Sequence, residues 1–262
     1  MAKAYRAHGH AVYAYDKNDE TMKIAKDEGI IEGTLDATNA AECDILFVAL
    51  YPEATIKYLA DIAPFMKGAK TLVMDLCGIK KQVCDAGFAL AEKYGFTFVG
   101  GHPMAGTQFS GIKYAKENLF KNAPMVLVTE SDDPALLARV KELLAPAQFG
   151  KISVTSAEDH DAIIAFTSQL AHVVSNAYVK SPTAGLHKGF SAGSYKDLTR
   201  VAWLNEHMWT ELFMENREPL LFEIDEIIKS LSEYRDAISD GDADRLRTLL
   251  RDGRIAKEQI DG

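Results

Sequence analysis

The stretch from residue 44 to residue 99 contains the apolar runs DILFVAL (44–50), TLVMDL (71–76) and FTFV (96–99), with helical patterns between them at 53–65 and 80–94. Strands that alternate with helices in this way are joined by right-handed crossovers and lie parallel in one sheet. The stretch therefore predicts an α/β fold, in which helices pack on a parallel sheet.

The same alternation continues on both sides of this stretch. Upstream, the pattern predicts a strand at 11–15 that ends before Asp16, followed by a helix at 19–28. Downstream, it predicts a late strand at 125–128 and a helix at 134–144. The sheet domain is therefore expected to occupy the first half of the chain and a little more.

The remainder of the chain has a helical pattern throughout. Two long helices are predicted at 157–179 and 216–239, and a third helix is predicted to begin near Asp242. Apolar side chains recur every three or four residues along the second helix, and such a stripe needs another helix to bury it. The stripe suits a monomer core and a dimer interface equally well. We predict two domains, at 1–153 and 154–262.

Composition and charge narrow the class of protein. The 262 residues carry a formal net charge of −9, and no basic run is dense enough to neutralise a row of phosphates. Lys3 and Arg6 interrupt any apolar segment that a signal peptide would need. Cys43, Cys77 and Cys84 are odd in number and form no CxxC pair, which is typical of a reducing compartment and argues against a structural metal site. These features predict a cytoplasmic protein without a nucleic-acid or membrane partner.

The segment GGHPMAGTQFSG at 100–111 directly follows the run at 96–99 and carries His102 among residues that favour a tight turn. Glycine permits backbone angles that are closed to other residues, and Pro103 fixes its own φ. A histidine held in such a place is a candidate acid or base. An incidental histidine in a polar loop is the alternative.

Asp16 occupies a second position of interest, at the end of a predicted strand. In a doubly wound sheet, an acid at the end of the second strand can bind the ribose hydroxyls of a dinucleotide. Asp16 is equally suited to forming a turn. The first strand and the glycine-rich GxGxxG turn that should precede the helix containing Ala2 to Ala7 are absent from this sequence. We therefore expect an incomplete sheet domain that binds NAD poorly.

Three further motifs occur in a fixed order: GHPMAGT at 101–107, SQLAH at 168–172, and KDLTR at 196–200 followed by Trp209. Together they resemble the prephenate and arogenate dehydrogenases, enzymes that make tyrosine, and the resemblance covers nearly the whole chain. It implies a Rossmann-like NAD-binding domain, a helical C-terminal dimerisation domain and a homodimer. It also implies NAD-dependent oxidative decarboxylation of prephenate to 4-hydroxyphenylpyruvate.

The resemblance assigns roles to individual residues. His102 would accept the hydrogen bond of the substrate hydroxyl as a neutral ring, and Arg200 would bind a substrate carboxylate, which a guanidinium can engage with two parallel hydrogen bonds. The other expected substrate-binding residues are Thr107, Gln108, Ser168, His172, Asp197 and Trp209. The expected cofactor-binding residues are Asp16, Leu50, Tyr51 and Pro52.

Structural roles are alternatives for several of these residues. Ser168 and His172 lie four apart and so share one helix face, where spacing alone favours a core or capping role. An internal ion pair between Asp197 and Arg200 is the alternative to substrate binding, and Trp209 suits an ordinary core. The run DHD at 159–161 looks like a metal-binding motif, but neighbouring side chains on a helix point apart, so we interpret it as an N-terminal cap cluster.

The sequence departs from the family pattern at two places. Gln108 stands where many relatives carry an acid, and a neutral amide cannot pair with the amino group of arogenate, so prephenate is the expected substrate. Cys77 and Gly78 replace the common Gly-Ser, so no serine role is assigned there. The chain ends soon after its last helix, so any feedback by tyrosine is expected to act at the active site.

Two other functions are kept open. A β-hydroxy acid dehydrogenase has the same two-domain plan and relies on a lysine of the helical domain, for which Lys180 or Lys188 is the nearest candidate. A non-catalytic dimeric protein would explain the absent glycine-rich turn, although it would not explain the retained histidines and Arg200.

Overall fold

A computed structural model describes residues 1–106, 111–131 and 133–261. Its larger sheet has five strands in the order β3-β4-β5-β6-β7. Their bounds are Ile45–Val48 (β3), Leu72–Asp75 (β4), Thr97–Pro103 (β5), Pro124–Val128 (β6) and Lys151–Thr155 (β7). β3, β4 and β5 are parallel, as the sequence predicts, and helices α4 (Pro52–Ile62) and α5 (Lys81–Tyr94) connect them.

The far side of the sheet differs from the prediction. β6 runs antiparallel to β5, and β7 runs parallel to β6, so the sheet is mixed rather than wholly parallel. β7 spans the predicted domain boundary at 153 and was not predicted, because its residues alternate only weakly in polarity. β5 extends past its predicted end to Pro103, since β6 pairs with its second half. His102 therefore lies on a strand and not in a turn.

A second, two-stranded sheet lies at the other end of the domain. β1 (Tyr13–Ala14) and β2 (Gly33–Thr34) pair in parallel, and among the described residues neither strand is hydrogen-bonded to the five-stranded sheet. Helix α1 (Ala2–Ala7) packs its Tyr5 edge-on against Phe47 of β3. Helix α2 (Asp19–Asp27) joins β1 to β2, and α3 (Ala37–Ala40) follows β2. The expectation that a first strand belongs between β1 and β3 stays a prediction.

The core lies on both faces of the five-stranded sheet, as the alternation of strand side chains requires. On one face, Leu72 and Met74 of β4 pack with Val140 of helix α6 (Pro134–Leu144). On the other face, Val73 packs with Leu59 and Val83 of α4 and α5. All four residues of β4 are buried, so truncating Met74 to alanine should cost about 2–5 kcal/mol of unfolding free energy.

The C-terminal part is helical, as predicted. The first long helix is continuous but changes its winding: α7 (Ala157–Ile164) passes through a π-helical segment (Ala165–Leu170) into α8 (Ala171–Tyr178). The remaining helices are α9 (Gly193–Thr199), α10 (Glu206–Glu215), α11 (Arg217–Ser239) and α12 (Ala243–Asp261). Within the described ranges, no helix combines the length and the apolar character that crossing a membrane requires.

Candidate functional site

His102 lies near the end of β5, where the sheet meets the helical domain. Its Nδ1 is 2.9 Å from Nε2 of His160 on α7. Its other nitrogen, Nε2, faces Gly78, where an added Cβ atom would lie 3.8 Å away. One nitrogen of the ring is therefore held by the protein, and the other borders the loop that follows β4.

The environment of His102 favours its neutral form. Burial, together with the neighbouring His160 and Lys80, lowers the pKa of His102 to about 3. A ring that stays neutral at neutral pH keeps a lone pair available. His102 is thus suited to accept a proton or a hydrogen bond.

His160 and Asp161 correct the interpretation of residues 159–161 as a cap cluster. Asp159 does belong to the cap, because its N–H is bonded to Ser156 Oγ, 3.0 Å away. His160 and Asp161, however, are 2% and 4% exposed and bond to each other, with 2.7 Å between Nδ1 and Oδ1. Although neighbouring side chains diverge on a helix, the long imidazole can bend back to the adjacent carboxylate. This pair contacts His102 at its Nδ1 atom, through His160.

Asp161 also connects the two domains. Its Oδ1 and Oδ2 accept the backbone N–H groups of Lys80 and Lys81, at 2.7 and 2.8 Å, at the start of α5. Those N–H groups have no partner within the helix, and α5 has no side-chain cap of its own. Asn216 donates to the Asp161 carbonyl at 2.8 Å and so holds the same turn of α7. Both carboxylate oxygens and the carbonyl of Asp161 are therefore hydrogen-bonded.

A buried ion pair holds the strand that carries His102. Lys80 is fully buried and donates to Asp75, and also to the carbonyl of Gly101 at 2.7 Å. Asp75 in turn accepts the N–H of Gly101 at 3.3 Å. Both backbone groups of Gly101 are therefore fixed, and removing either charge would leave the other buried and unpaired. The sequence shows only that a lysine follows, five residues later, an acid within a predicted strand, and this spacing does not by itself predict a buried pair.

His172 and Trp209 form a second cluster, as the sequence motifs suggested. Their rings lie 3.9 Å apart between centroids, at an interplanar angle of 30°. His172 Nδ1 donates to the Ser168 carbonyl at 2.8 Å, across the π-helical segment that displaces Ser168 from a regular helix. π-Helical segments often accompany functional sites. Burial lowers the pKa of His172, and the positive charge of Arg200 lowers it further.

Arg200 and Asp197 are both exposed, the former directly after α9 and the latter within it. Within the described residues, no ion pair joins them, so the alternative of a structural Asp197–Arg200 pair lacks support. Trp209 lies one helical turn from Leu212 on α10, and Leu212 approaches Gly78 beside His102. The two clusters therefore border one region at the junction of the domains.

The expected cofactor-binding residues lie at the ends of strands. Asp16 follows β1, is exposed, and accepts the N–H of Asn18 at 2.8 Å, so it does form a turn. Leu50 and Tyr51 are exposed in the loop between β3 and α4, and Pro52 begins α4. An exposed carboxylate at Asp16 and an exposed loop beside a helix N-terminus fit a dinucleotide, whose ribose and phosphate need those partners.

The remaining candidate residues are two residues of the His102 motif, two lysines and a cysteine. Thr107 and Gln108 lie outside the described residues. Lys180 and Lys188, the alternative catalytic lysines, are both exposed in or beside the segment that follows α8. Cys77 is buried against Thr55, and burial together with the Asp75 charge raises its pKa to about 12, so it is not a reactive thiolate.

Comparisons with known proteins show the family of this chain. Residues 1–152 match the family model "Prephenate dehydrogenase, nucleotide-binding domain", and residues 156–252 match "Prephenate dehydrogenase, dimerization domain". A prephenate dehydrogenase of Bacillus subtilis is 30% identical over 97% of this chain and 69% of the relative.

Two solved structures are similar over nearly their whole length. Synechocystis arogenate dehydrogenase has a TM-score of 0.81 and 26% identity, and the match covers 98% of this chain and 94% of that one. Prephenate dehydrogenase from A. aeolicus, in complex with hydroxyphenyl propionate and NAD⁺, has a TM-score of 0.79 and 29% identity, with coverage of 99% and 93%.

Proposed function

Since this chain belongs to the prephenate dehydrogenase family, we propose that it catalyses the NAD-dependent oxidative decarboxylation of prephenate to 4-hydroxyphenylpyruvate. The observation that carries this proposal is a neutral His102 with one nitrogen bonded to the protein and the other facing the domain junction.

The reaction suits one well-placed acceptor. The carbon that bears the ring hydroxyl loses a hydride, and the bond to the ring carboxylate breaks. The electrons of that bond enter the ring, CO₂ leaves and the ring becomes aromatic. His102 Nε2 accepts the hydrogen bond of the hydroxyl and draws its proton while the hydride departs. The proton returns to the oxygen as the phenol forms, so no net proton is consumed. Aromatisation supplies the driving force, and the enzyme supplies orientation.

Substrate recognition is assigned to the second cluster. Arg200 is exposed and free of an ion pair with Asp197, so its guanidinium is available for a bidentate pair with a carboxylate of prephenate. His172, which is stacked on Trp209, offers Nε2 as a further polar contact, because its Nδ1 is bonded to the Ser168 carbonyl. Ser168 and Asp197 complete the proposed pocket.

NAD⁺ is the cofactor, and when bound it accepts the hydride from the substrate. Asp16 would bind the ribose hydroxyls, and the loop of Leu50, Tyr51 and Pro52 would border the ring end of the dinucleotide. A carboxylate at Asp16 repels a 2′-phosphate, which favours NAD over NADP.

Prephenate is proposed over arogenate because of Gln108. The two substrates differ in that arogenate carries an amino group, which a nearby carboxylate would pair with. Thr107 and Gln108 follow His102 closely in the chain, so both are proposed to line the substrate pocket.

We further propose a homodimer that forms through the helical domain. Large apolar side chains are exposed along α11, including Phe222, Ile228 and Leu231, at 62%, 55% and 59%. Such a row on a long helix is typical of an interface. The three cysteines are all free, which supports a reducing, cytoplasmic location.

An assay of prephenate with NAD⁺ tests the function. NADH, 4-hydroxyphenylpyruvate and CO₂ should form in equal amounts, with arogenate and a β-hydroxy acid as comparison substrates. The 262-residue chain should be assayed beside a version preceded by a strand and a GxGxxG turn, because such a turn brings the pyrophosphate of a dinucleotide to a helix N-terminus. Failure of the extended version to oxidise prephenate would overturn the proposal. Micromolar NAD⁺ binding by the 262-residue chain would show that the glycine-rich turn is dispensable.

A further inference from the structure

A chain of three hydrogen-bonded groups extends from His102 into the helical domain. His102 Nδ1 lies 2.9 Å from His160 Nε2, and His160 Nδ1 lies 2.7 Å from Asp161 Oδ1. An ionised carboxylate only accepts hydrogen bonds, so the hydrogen between His160 and Asp161 belongs to His160 Nδ1. In a neutral imidazole the other nitrogen then carries the lone pair. His160 Nε2 is therefore an acceptor, and His102 Nδ1–H must donate to it.

This order of donors determines where the lone pair of His102 lies. With the hydrogen on Nδ1, the lone pair is on Nε2, the nitrogen that faces Gly78. The opposite tautomer would carry a hydrogen there and could not accept a hydroxyl proton. We propose that His160 and Asp161 are positioning residues that hold His102 in the one neutral tautomer able to act on the substrate hydroxyl. The inference rests on the proposed function for its catalytic part only.

The surroundings of His160 and Asp161 stabilise this arrangement of donors and acceptors. Asp161 is held by two backbone N–H groups of α5, and His160 is 2% exposed, so water does not compete for these bonds. Asp161 also caps α5, so replacing it would lower the stability of the protein and alter the tautomer of His102 at the same time. The test therefore acts on His160 alone.

Two substitutions of similar size separate packing from hydrogen bonding. His160→Leu fills the site without any acceptor. His160→Gln can present its Oε1 near the position of the imidazole Nε2 and so restores an acceptor for His102 Nδ1–H. Thermal unfolding of both variants reports any loss of packing, which is expected to be similar for the two.

The direct measurement is ¹⁵N NMR of histidine-labelled 262-residue chain, in which the shifts of Nδ1 and Nε2 identify the protonated nitrogen. The His102 signal is assigned by its absence from His102→Asn. We expect hydrogen on Nδ1 in the original chain and in His160→Gln, and a mixture of tautomers in His160→Leu. This readout needs neither NAD⁺ nor substrate, so it decides the tautomer even if the proposed function fails.

Kinetics test the catalytic consequence in whichever version of the protein oxidises prephenate. His160→Leu should lower kcat about 10- to 100-fold, by analogy with the loss of a partner that orients a metal-binding histidine. KM for prephenate should stay unchanged, and His160→Gln should recover most of the lost kcat. Hydrogen on Nε2 of His102 in the original chain, or on both nitrogens, would overturn the proposal. So would a His160→Leu variant with an unchanged tautomer or unchanged kcat.

Discussion

The surroundings of His102 and of Arg200 differ in how much of the geometry the fold provides in advance. Around His102, the ring, the supporting His160 and the backbone of Gly101 all have bonded partners within the chain. Arg200, in contrast, is exposed and has no ion pair with Asp197. The group proposed to take part in the chemistry is held before substrate arrives, whereas the guanidinium proposed to bind substrate is left exposed and available to a carboxylate. Catalysis benefits from the first arrangement because no reorganisation is needed at the moment of reaction.

Replacing His102 tests the region that is held by hydrogen bonds within the chain, and this replacement should have the largest effect. His102→Asn removes the acceptor, and loss of general acid–base help typically costs about 10²–10⁴-fold in rate. We expect kcat to fall by this amount in the version that turns over prephenate, with the Kd of NAD⁺ nearly unchanged. His207→Asn, an exposed histidine on α10, is the matched control. Turnover by His102→Asn at the original rate would show that His102 takes no part in the reaction.

Replacing Arg200 tests the exposed region that is proposed to bind the substrate carboxylate. Arg200→Ala should raise KM for prephenate more than tenfold, because a hydrogen bond to a charged group is worth about 1.5–3 kcal/mol. The melting temperature should change little, since the side chain is exposed. Lys188→Ala, an exposed cation after α8, should leave KM unchanged.

The two readouts separate the possible roles of these residues. An unchanged KM with a lower melting temperature in Arg200→Ala would assign Arg200 a structural role. A loss of activity in Lys188→Ala would revive the β-hydroxy acid alternative.

Substrate preference would sharpen the comparison by asking whether the segment that follows His102 in the chain also selects the substrate. The chain should favour prephenate over arogenate in kcat/KM, and Gln108→Glu should narrow that preference because it supplies a charge for the amino group. Competing turnover of the two substrates measures the ratio before and after the change. A preference for arogenate in the unmodified protein would contradict the assignment.

The smallest expected effect concerns Glu215, a half-buried acid with one carboxylate oxygen that lacks a hydrogen-bond partner among the described residues. Within the described residues, Oε2 of Glu215 is buried without a hydrogen-bond partner. Burial, together with the negative charges of Glu211 and Glu53, raises the pKa of Glu215 to about 7. The folded state then binds more protons than the unfolded state between about pH 4.5 and 7, so the unfolding free energy falls as pH rises through that window.

Glu215→Gln should remove this dependence. The variant should melt about 2–4 °C above the original chain at pH 8 and show no such gain at pH 4. Exposed Glu218→Gln on α11 is the control. Equal shifts at both pH values would mean that the charge of Glu215 is not what costs stability.

The sequence by itself determined the positions of the central strands and of the long helices, because each of these elements carries its own local pattern. The apolar runs at 44–50, 71–76 and 96–99 became β3, β4 and β5, and the long helical patterns became α7 to α8 and α11. The motif around His102 and the candidates His172 and Trp209 were likewise visible in the sequence, whereas the stacking of these two rings was not. Local composition is enough for such features, since periodicity and turn residues act over a few positions.

Only the tertiary structure decided what surrounds His102. Its partner His160 lies 58 positions away in the chain, and Asp161 reaches Lys80 across 81 positions. Nothing in the local pattern of residues 159–161 distinguishes a helix cap from a buried support, because the difference arises when α7 packs against α5. The antiparallel β6, which draws His102 onto a strand, is also a long-range pairing. Burial and hydrogen bonding between distant segments set the tautomer and the charge of a residue, and these are properties of the folded chain.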